Sequence, residues 1–287
     1  SLLKLCAHLL RVVSNDFDSD EQGRLVIARR VSRGRLVSLT DPEARHGRKS
    51  RSRTFNGFKL HILGDVVSGV IASVGVTPGN AHDGSVAERL IRRAKALFED
   101  IECLLADTAY GGAALRHAVS HVHQVRLLAP PPPANFEPPE GRFARADFDI
   151  VGDAVTCPNG VASTTYTTVH ARAGMARRYV WQRQECDACP ARARCLDKNY
   201  RRGRLLLHAY EPELREARVE WSRPETREAY RQRSQCERLV NQMTRHGARR
   251  ARSWGLAAAH FQAHAIATTC NLALLARALA DGSVVAA

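Results

Sequence analysis

From Ile101 to Gly111 the chain reads Ile-Glu-Cys-Leu-Leu-Ala-Asp-Thr-Ala-Tyr-Gly. A short apolar run closed by one carboxylate and a glycine turn predicts a strand that delivers Asp107 at its end. A strand needs partners, and the preceding residues supply them. Phe58–Gly64 and Val70–Thr77 read as a hairpin, joined through a turn containing Gly64-Asp65 and Ser68-Gly69. Asp83 opens a helix in which Ser85 and Glu88 have capping-box spacing. Val86, Leu90, Ile91, Ala94 and Leu97 then recur at helical period. Beyond Asp107, a helix is expected from Gly112 to His121 and a further strand over His121–Leu128.

Hairpin, crossover helix and acid-bearing strand, in that order, resemble most of a ribonuclease H-like sheet. The expected fold class is therefore α/β, a mixed sheet flanked by helices. Residues 1–13 read as an amphipathic helix, and Leu25–Ile27 and Leu36–Leu39 as short extended pieces. Pro130–Pro133 and Pro138-Pro139 cannot lie in a central strand. They mark entry to an inserted subdomain, residues 130–207, which holds a cysteine cluster. Residues 1–129 and 208–287 are expected to form the two parts of the core. Regular helix returns at Glu211. A long helix is predicted from Pro224, a favoured first-turn residue, to Gly247. The apolar helix Leu256–Ala280 is expected to pack on the core.

Charge narrows the partners. The 287 residues carry 43 Lys+Arg against 29 Asp+Glu, a formal net charge of +14. So basic a chain, 44% hydrophobic and able to bury a core, points to a polyanion, DNA or RNA. No run of 18 apolar residues occurs, so no membrane span is expected. The opening Ser1–Leu10 is too interrupted by polar residues for a secretory signal. With Ser1 in place of an initiating Met, the chain reads as processed or as a fragment of something longer. Without an export signal, a reducing compartment is expected, and Cys6, Cys103, Cys236 and Cys270 read as reduced core thiols.

On the predicted long helix, Tyr230, Arg233, Glu237, Asn241 and Thr244 fall on one stripe, beside an apolar stripe of Cys236, Leu239, Val240 and Met243. The plain alternative for Arg233 and Glu237 is an i,i+4 ion pair worth a few tenths of a kcal/mol, about the usual magnitude. Taken with Asp107, Glu237 gains a second meaning. Phosphoryl transfer commonly uses two divalent ions, and Mg²⁺ takes oxygen ligands. Carboxylates from distant segments must converge to hold it.

At these residues the chain resembles the bacterial insertion-sequence transposases with an RNase H-like DDE domain. The acidic strand matches at Leu105–Tyr110. The signature Y-x2-R-x3-E-x6-K matches at Tyr230, Arg233 and Glu237, with Thr244 where lysine is usual and Arg245 beside it. Further similar segments are Asp41–Lys49, Phe58–His61, Val76–Asp83 and Arg245–Gly255. The resemblance implies that Asp107 and Glu237 hold Mg²⁺ (or Mn²⁺) and that Tyr230 and Arg233 orient the carboxylate or contact DNA. It also implies cleavage and joining of double-stranded DNA at transposon ends and targets, a homodimer in the synaptic complex, and work on the nucleoid in a bacterial cytoplasm. A first catalytic Asp is required as well. It lies upstream of Ser1, or it is Asp41, whose alternative is a simple Asp-Pro turn. Without that residue the chain reads as a catalytically inactive DNA-binding remnant.

Two further sets stand out. Cys157, Cys186, Cys189 and Cys195 include a C-x2-C pair and can close a tetrahedral Zn²⁺ site. The alternative is four reduced thiols. Arginine clusters occur at Arg45–Arg53, Arg192–Arg204 and Arg245–Arg252. Lys49, Lys59, Arg245, Arg249, Arg250 and Arg252 are the candidate DNA contacts, alongside Tyr230 and Arg233, with Trp254 placed to stack or to bury.

Overall fold

The computed structural model describes residues 2–28, 34–50, 52–98, 100–132, 139–171, 174–196 and 201–282. Arg51, Pro133, Pro138 and residues 197–200, which belong to segments singled out above, lie outside them. Two compact units emerge: residues 1–101 with 231–287, and residues 102–230.

The first unit opens with helix α1 (Leu2–Asp16), none of whose residues is buried. Strands β1 (Phe17–Ser19) and β2 (Leu25–Ile27) pair antiparallel. The second extended piece expected, Leu36–Leu39, forms no strand. Strands β3 (Arg45–Arg48), β4 (Thr54–Gly64) and β5 (Ile71–Pro78) make a three-stranded antiparallel sheet in that order. The β4–β5 hairpin is the one read from the sequence, with Phe58 opposite Pro78 and a register shift near Gly64. Residues Asp83–Val86 form a 3₁₀ turn before helix α2 (Ala87–Lys95). The expected capping box does not form. His82 caps instead, its Nδ1 accepting from the Gly84 N–H at 3.1 Å while Ser85 Oγ donates to the His82 carbonyl. Val86, Leu90, Ile91 and Ala94 are buried as predicted, whereas Leu97, beyond the last turn of the helix, is exposed.

The second unit begins at strand β6 (Cys103–Leu105). Helix α3 (Ala113–His117) runs on as a single π turn over Ala118–Val122. Strand β7 (Arg126–Leu128) lies parallel to β6, Leu104 opposite Leu127. Strands β8 (Asp149–Val151), β9 (Ala154–Thr156) and β10 (Ala162–Ser163) form one antiparallel sheet. Strands β11 (Tyr166–Ala171) and β12 (Gly174–Val180) pair as a hairpin. Helices α4 (Arg183–Asp187) and α5 (Arg192–Cys195) follow, and β13 (Arg204–His208) adds to β12. Phe148, Val155, Tyr179, Trp181 and Leu207 make a small core there. Helices α6 (Glu211–Ser222) and α7 (Pro224–Tyr230) close the unit.

The first unit resumes with a 3₁₀ turn, Arg231–Arg233, and helix α8 (Ser234–Met243). The long helix expected over Pro224–Gly247 is therefore interrupted, and a single stripe from Tyr230 to Thr244 does not run through. A π turn over Thr244–Ala248 carries Gly247 at φ 94°, a left-handed value that glycine adopts without strain. Helix α9 (Leu256–Ala280) is the last element among the described residues.

The core of the first unit lies between the hairpin and α8 and α9. Ile71, Val74, Val76, Leu239, Met243, Ala263, Ile266, Ala267 and Cys270 form it. Of the predicted apolar stripe on α8, Leu239 and Met243 are buried but Val240 is half-exposed, because it lies about a third of a turn from Leu239. Asn271 locks α9 to β5: its side chain accepts from the Ile71 N–H and donates to the Ile71 carbonyl, both at 2.9 Å. By length and composition α9 could cross a membrane, yet one of its faces packs in this core. Of the four single cysteines, only Cys270 is a core thiol; Cys6 and Cys103 are exposed and Cys236 is partly buried. The expected α/β class holds. Its strands form several small sheets, a three-stranded antiparallel set and a parallel pair among them.

Candidate active-site carboxylates and basic surface

Asp107 lies two residues past β6 and caps a 3₁₀ turn, Thr108–Tyr110, its Oδ1 accepting from the Ala109 N–H at 2.9 Å. The chain around it is braced from four sides. The Ala106 N–H donates to the Leu128 carbonyl at 3.0 Å, continuing the β6–β7 ladder to the residue before the acid. Tyr230 Oη donates to the Ala106 carbonyl at 3.0 Å. Trp221 meets the Tyr230 ring edge-on, centroids 4.8 Å apart, and fixes its direction. Buried Arg116 donates from Nε to the Gly111 carbonyl at 2.8 Å and from its terminal nitrogen to the Ala129 carbonyl. Burial pulls the Arg116 guanidinium below its usual pKa. Gly111 has no room for a side chain: a Cβ there would stand 2.3 Å from the Pro130 carbonyl oxygen. A carboxylate on so constrained a turn is held in one place rather than swept by loop motion.

Tyr230 thus acts inside the fold. Its hydroxyl donates to the segment that leads from β6 to Asp107. Glu237 belongs to the other unit. It is exposed in the first turn of α8, where the helix dipole favours a negative charge. Arg233 ends the 3₁₀ turn just before that helix. Each acid offers carboxylate oxygens, the hard donors that Mg²⁺ requires.

Asp41 behaves differently. It is 9% exposed, and its Oδ2 accepts from the Gly255 N–H at 3.2 Å. Glu43 Oε2 accepts from the next N–H, that of Leu256, at 2.9 Å. Two carboxylates therefore satisfy the first donors of the 25-residue helix α9 and face its positive end. This is a capping arrangement.

The candidate DNA contacts divide. Lys59 is committed internally, its Nζ bonded to the Ala81 carbonyl at 2.8 Å and to Asp83 Oδ1 at 2.7 Å. Its part in the unit is to hold the segment after β5 against β4. Lys49 is exposed just past β3. Arg245, Arg249, Arg250 and Arg252 are all exposed on the turn between α8 and α9, and Trp254 beside them is 74% exposed. Gln262 shapes that turn by donating to the Gly247 and Arg250 carbonyls and accepting from the Arg252 N–H. Four cations and an uncovered indole on one ordered turn can meet phosphates and stack on a base or sugar.

Cys157, Cys186, Cys189 and Cys195 line one cavity together with Trp181 and Gly203. Burial, and then the other three cysteines, push the Cys195 thiol pKa up. One further group was not read from the sequence. His117 Nδ1 stands 2.6 Å from Glu213 Oε1, and His121 Nε2 is 3.8 Å from the same oxygen. These three ligand atoms all lie within 4.8 Å of one another. His117-x3-His121 was a visible signal, but Glu213 joins it from α6, remote in sequence.

Residues 156–276 match the family model described as a transposase DDE domain. Tyr230, Arg233, Glu237 and the four cysteines fall inside the matched span; Asp41 and Asp107 fall outside it. No curated protein and no solved structure matches the chain. The match supports a DDE transposase, and the mixed α/β architecture is consistent with an RNase H-like DDE domain.

Proposed function

We propose that this chain, whose residues 156–276 match the transposase DDE domain, is a DDE transposase that cleaves double-stranded DNA at the ends of an insertion sequence and joins the freed 3′-OH to target DNA. The observation that carries this reading is the bond from Tyr230 to the Ala106 carbonyl. It ties Tyr230, the first residue of the signature read from the sequence, to the segment that leads from β6 to Asp107, which supports a shared role for the two. Asp107 and Glu237 would hold Mg²⁺ or Mn²⁺, which when bound would supply Lewis-acid stabilisation of negative charge on the attacking and leaving oxygens. The braced turn keeps Asp107 oriented, Tyr230 positions that turn, and the exposed arginines of the α8–α9 turn bind the DNA backbone. Synapsis of two transposon ends calls for a homodimer, working on nucleoid DNA in a bacterial cytoplasm.

The test is nicking and strand transfer of terminal-repeat DNA in Mn²⁺. Activity that disappears in Asp107→Ala and Glu237→Ala, with folding and DNA binding kept, supports the reading. Wild-type activity in either variant overturns it.

One observation favours a second reading, a DNA-binding transposase remnant. Asp41, the internal candidate for the first acid, caps α9 instead. A chain that binds DNA with steep salt dependence but never cuts it, in any metal, is that remnant.

A further inference from the structure

The small sheets of residues 139–208 bury few large side chains, with Phe148, Tyr179 and Trp181 the largest in their core. Modules with so little core are usually stapled by a disulfide or a metal. All eight cysteines are free. We propose that Cys157, Cys186, Cys189 and Cys195 form a closed structural site for one Zn²⁺ ion, which staples this module.

The placement of the four residues supports it. Cys157 heads a tight turn after β9: its N–H donates to the Val161 carbonyl at 2.9 Å, and the Gly160 N–H donates to its carbonyl at 2.8 Å. Gly160 has φ 82°, which keeps that turn short. Cys186 and Cys189 flank the end of α4, the Cys189 N–H donating to the Cys186 carbonyl. Cys195 ends α5. Two short loops thus bring four soft donors to the wall of one cavity, with Trp181 behind them. The Gly203 N–H donates to Cys186 Sγ at 3.1 Å, the kind of bond that backs a thiolate ligand. Zinc–sulfur bonds of about 2.3 Å would draw the sulfurs inward and leave no open position, so the ion would serve the fold and not the chemistry.

A second, closer-set group of His117, His121 and Glu213 offers imidazole and carboxylate donors instead of thiolates. His117 and Glu213 already share a 2.6 Å hydrogen bond, and the His117 ring stacks on Tyr210 at 4.0 Å. It therefore serves as the internal control.

The test is metal analysis of the full chain purified from zinc-supplemented cells. The expected result is about one zinc per chain, and an intense thiolate-to-metal charge-transfer band after exchange for Co²⁺. Cys186→Ser and Cys189→Ser should lose most of the zinc, while Cys236→Ser and His117→Ala keep it. If the cysteine variants do not fold, the wild-type stoichiometry and Co²⁺ spectrum still decide. Absence of zinc, a Co²⁺ spectrum without thiolate bands, or loss of zinc in His117→Ala overturns the proposal. None of these readouts depends on DNA cleavage, so this proposal and the transposase reading can fail separately.

Discussion

The Tyr230 hydroxyl donates a 3.0 Å hydrogen bond to the carbonyl of Ala106, the residue that immediately precedes Asp107. A side chain 124 positions downstream is thereby tied to the backbone just before Asp107. Tyr230→Phe keeps the ring against Trp221 and removes the bond to Ala106. A stability loss of about 1 kcal/mol is expected from denaturant unfolding. DNA cleavage should fall well beyond what that loss explains, with DNA affinity unchanged. Cleavage at the wild-type rate would remove Tyr230 from the positioning of Asp107.

Gly111 tests the same turn from its other end. A methyl group at this position meets the Pro130 carbonyl at 2.3 Å, so the turn must shift. Gly111→Ala should destabilise the protein by about 1–3 kcal/mol, the usual range for forced overpacking, and abolish cleavage. Gly112→Ala, where nothing lies within 4 Å of the added carbon, should be close to neutral in the same assays.

Asp41 separates cap from catalyst. As a cap, Asp41→Ala should cost about 1–2 kcal/mol by thermal or chemical denaturation. Asp41→Asn keeps an oxygen for the Gly255 N–H and should cost much less, with any DNA cleavage retained. Complete loss of cleavage in a well-folded Asp41→Asn protein would restore Asp41 to the metal site.

The α8–α9 turn predicts a salt signature. Replacing Arg245, Arg249, Arg250 and Arg252 together by Gln should weaken DNA binding and flatten the log–log salt slope by about 3 to 4. Lys59→Gln should leave the slope as it was, because that ammonium is bonded to Asp83. Fluorescence anisotropy across a salt series distinguishes the two outcomes, and an unchanged slope in the fourfold variant would rule this turn out as a DNA contact.

Acid should weaken the first unit through His260. Burial, followed by the charges of Arg89, His264 and Arg93, lowers its pKa below the ordinary 6.5. The folded chain therefore prefers the neutral ring. Its contribution is fully present above the unfolded pKa and is lost as pH falls through the depressed folded value. Unfolding free energy measured from pH 8 to pH 5 should drop on the acid side, and less so in His260→Asn. An identical pH profile in that variant would contradict this.

Much of this was legible in the residues because it rests on local period and turn chemistry. The β4–β5 hairpin, α2 with its buried Val86, Leu90, Ile91 and Ala94, and the β6 run ending near Asp107 needed only alternation, helical spacing and glycine placement. The interruption of the Pro224–Gly247 helix at Arg231–Arg233 was not legible, since every residue there has good helical propensity. The roles of Asp41 and Lys59 were hidden for another reason. Asp-Pro before a basic stretch looks like a turn or a ligand, and only the arrival of Gly255 from 214 residues away makes it a cap.

The sequence by itself determined the element types, the charge and the candidate carboxylates, because these depend on residue identity and on neighbours within a few positions. Tertiary structure alone decided which partners the polar groups meet. It turned Tyr230 inward to Ala106, gave Lys59 to Asp83 and Asp41 to α9, gathered the four cysteines on one cavity, and left the α8–α9 arginines exposed. A buried donor or acceptor must find a partner wherever the fold provides one, and that partner can stand anywhere along the chain.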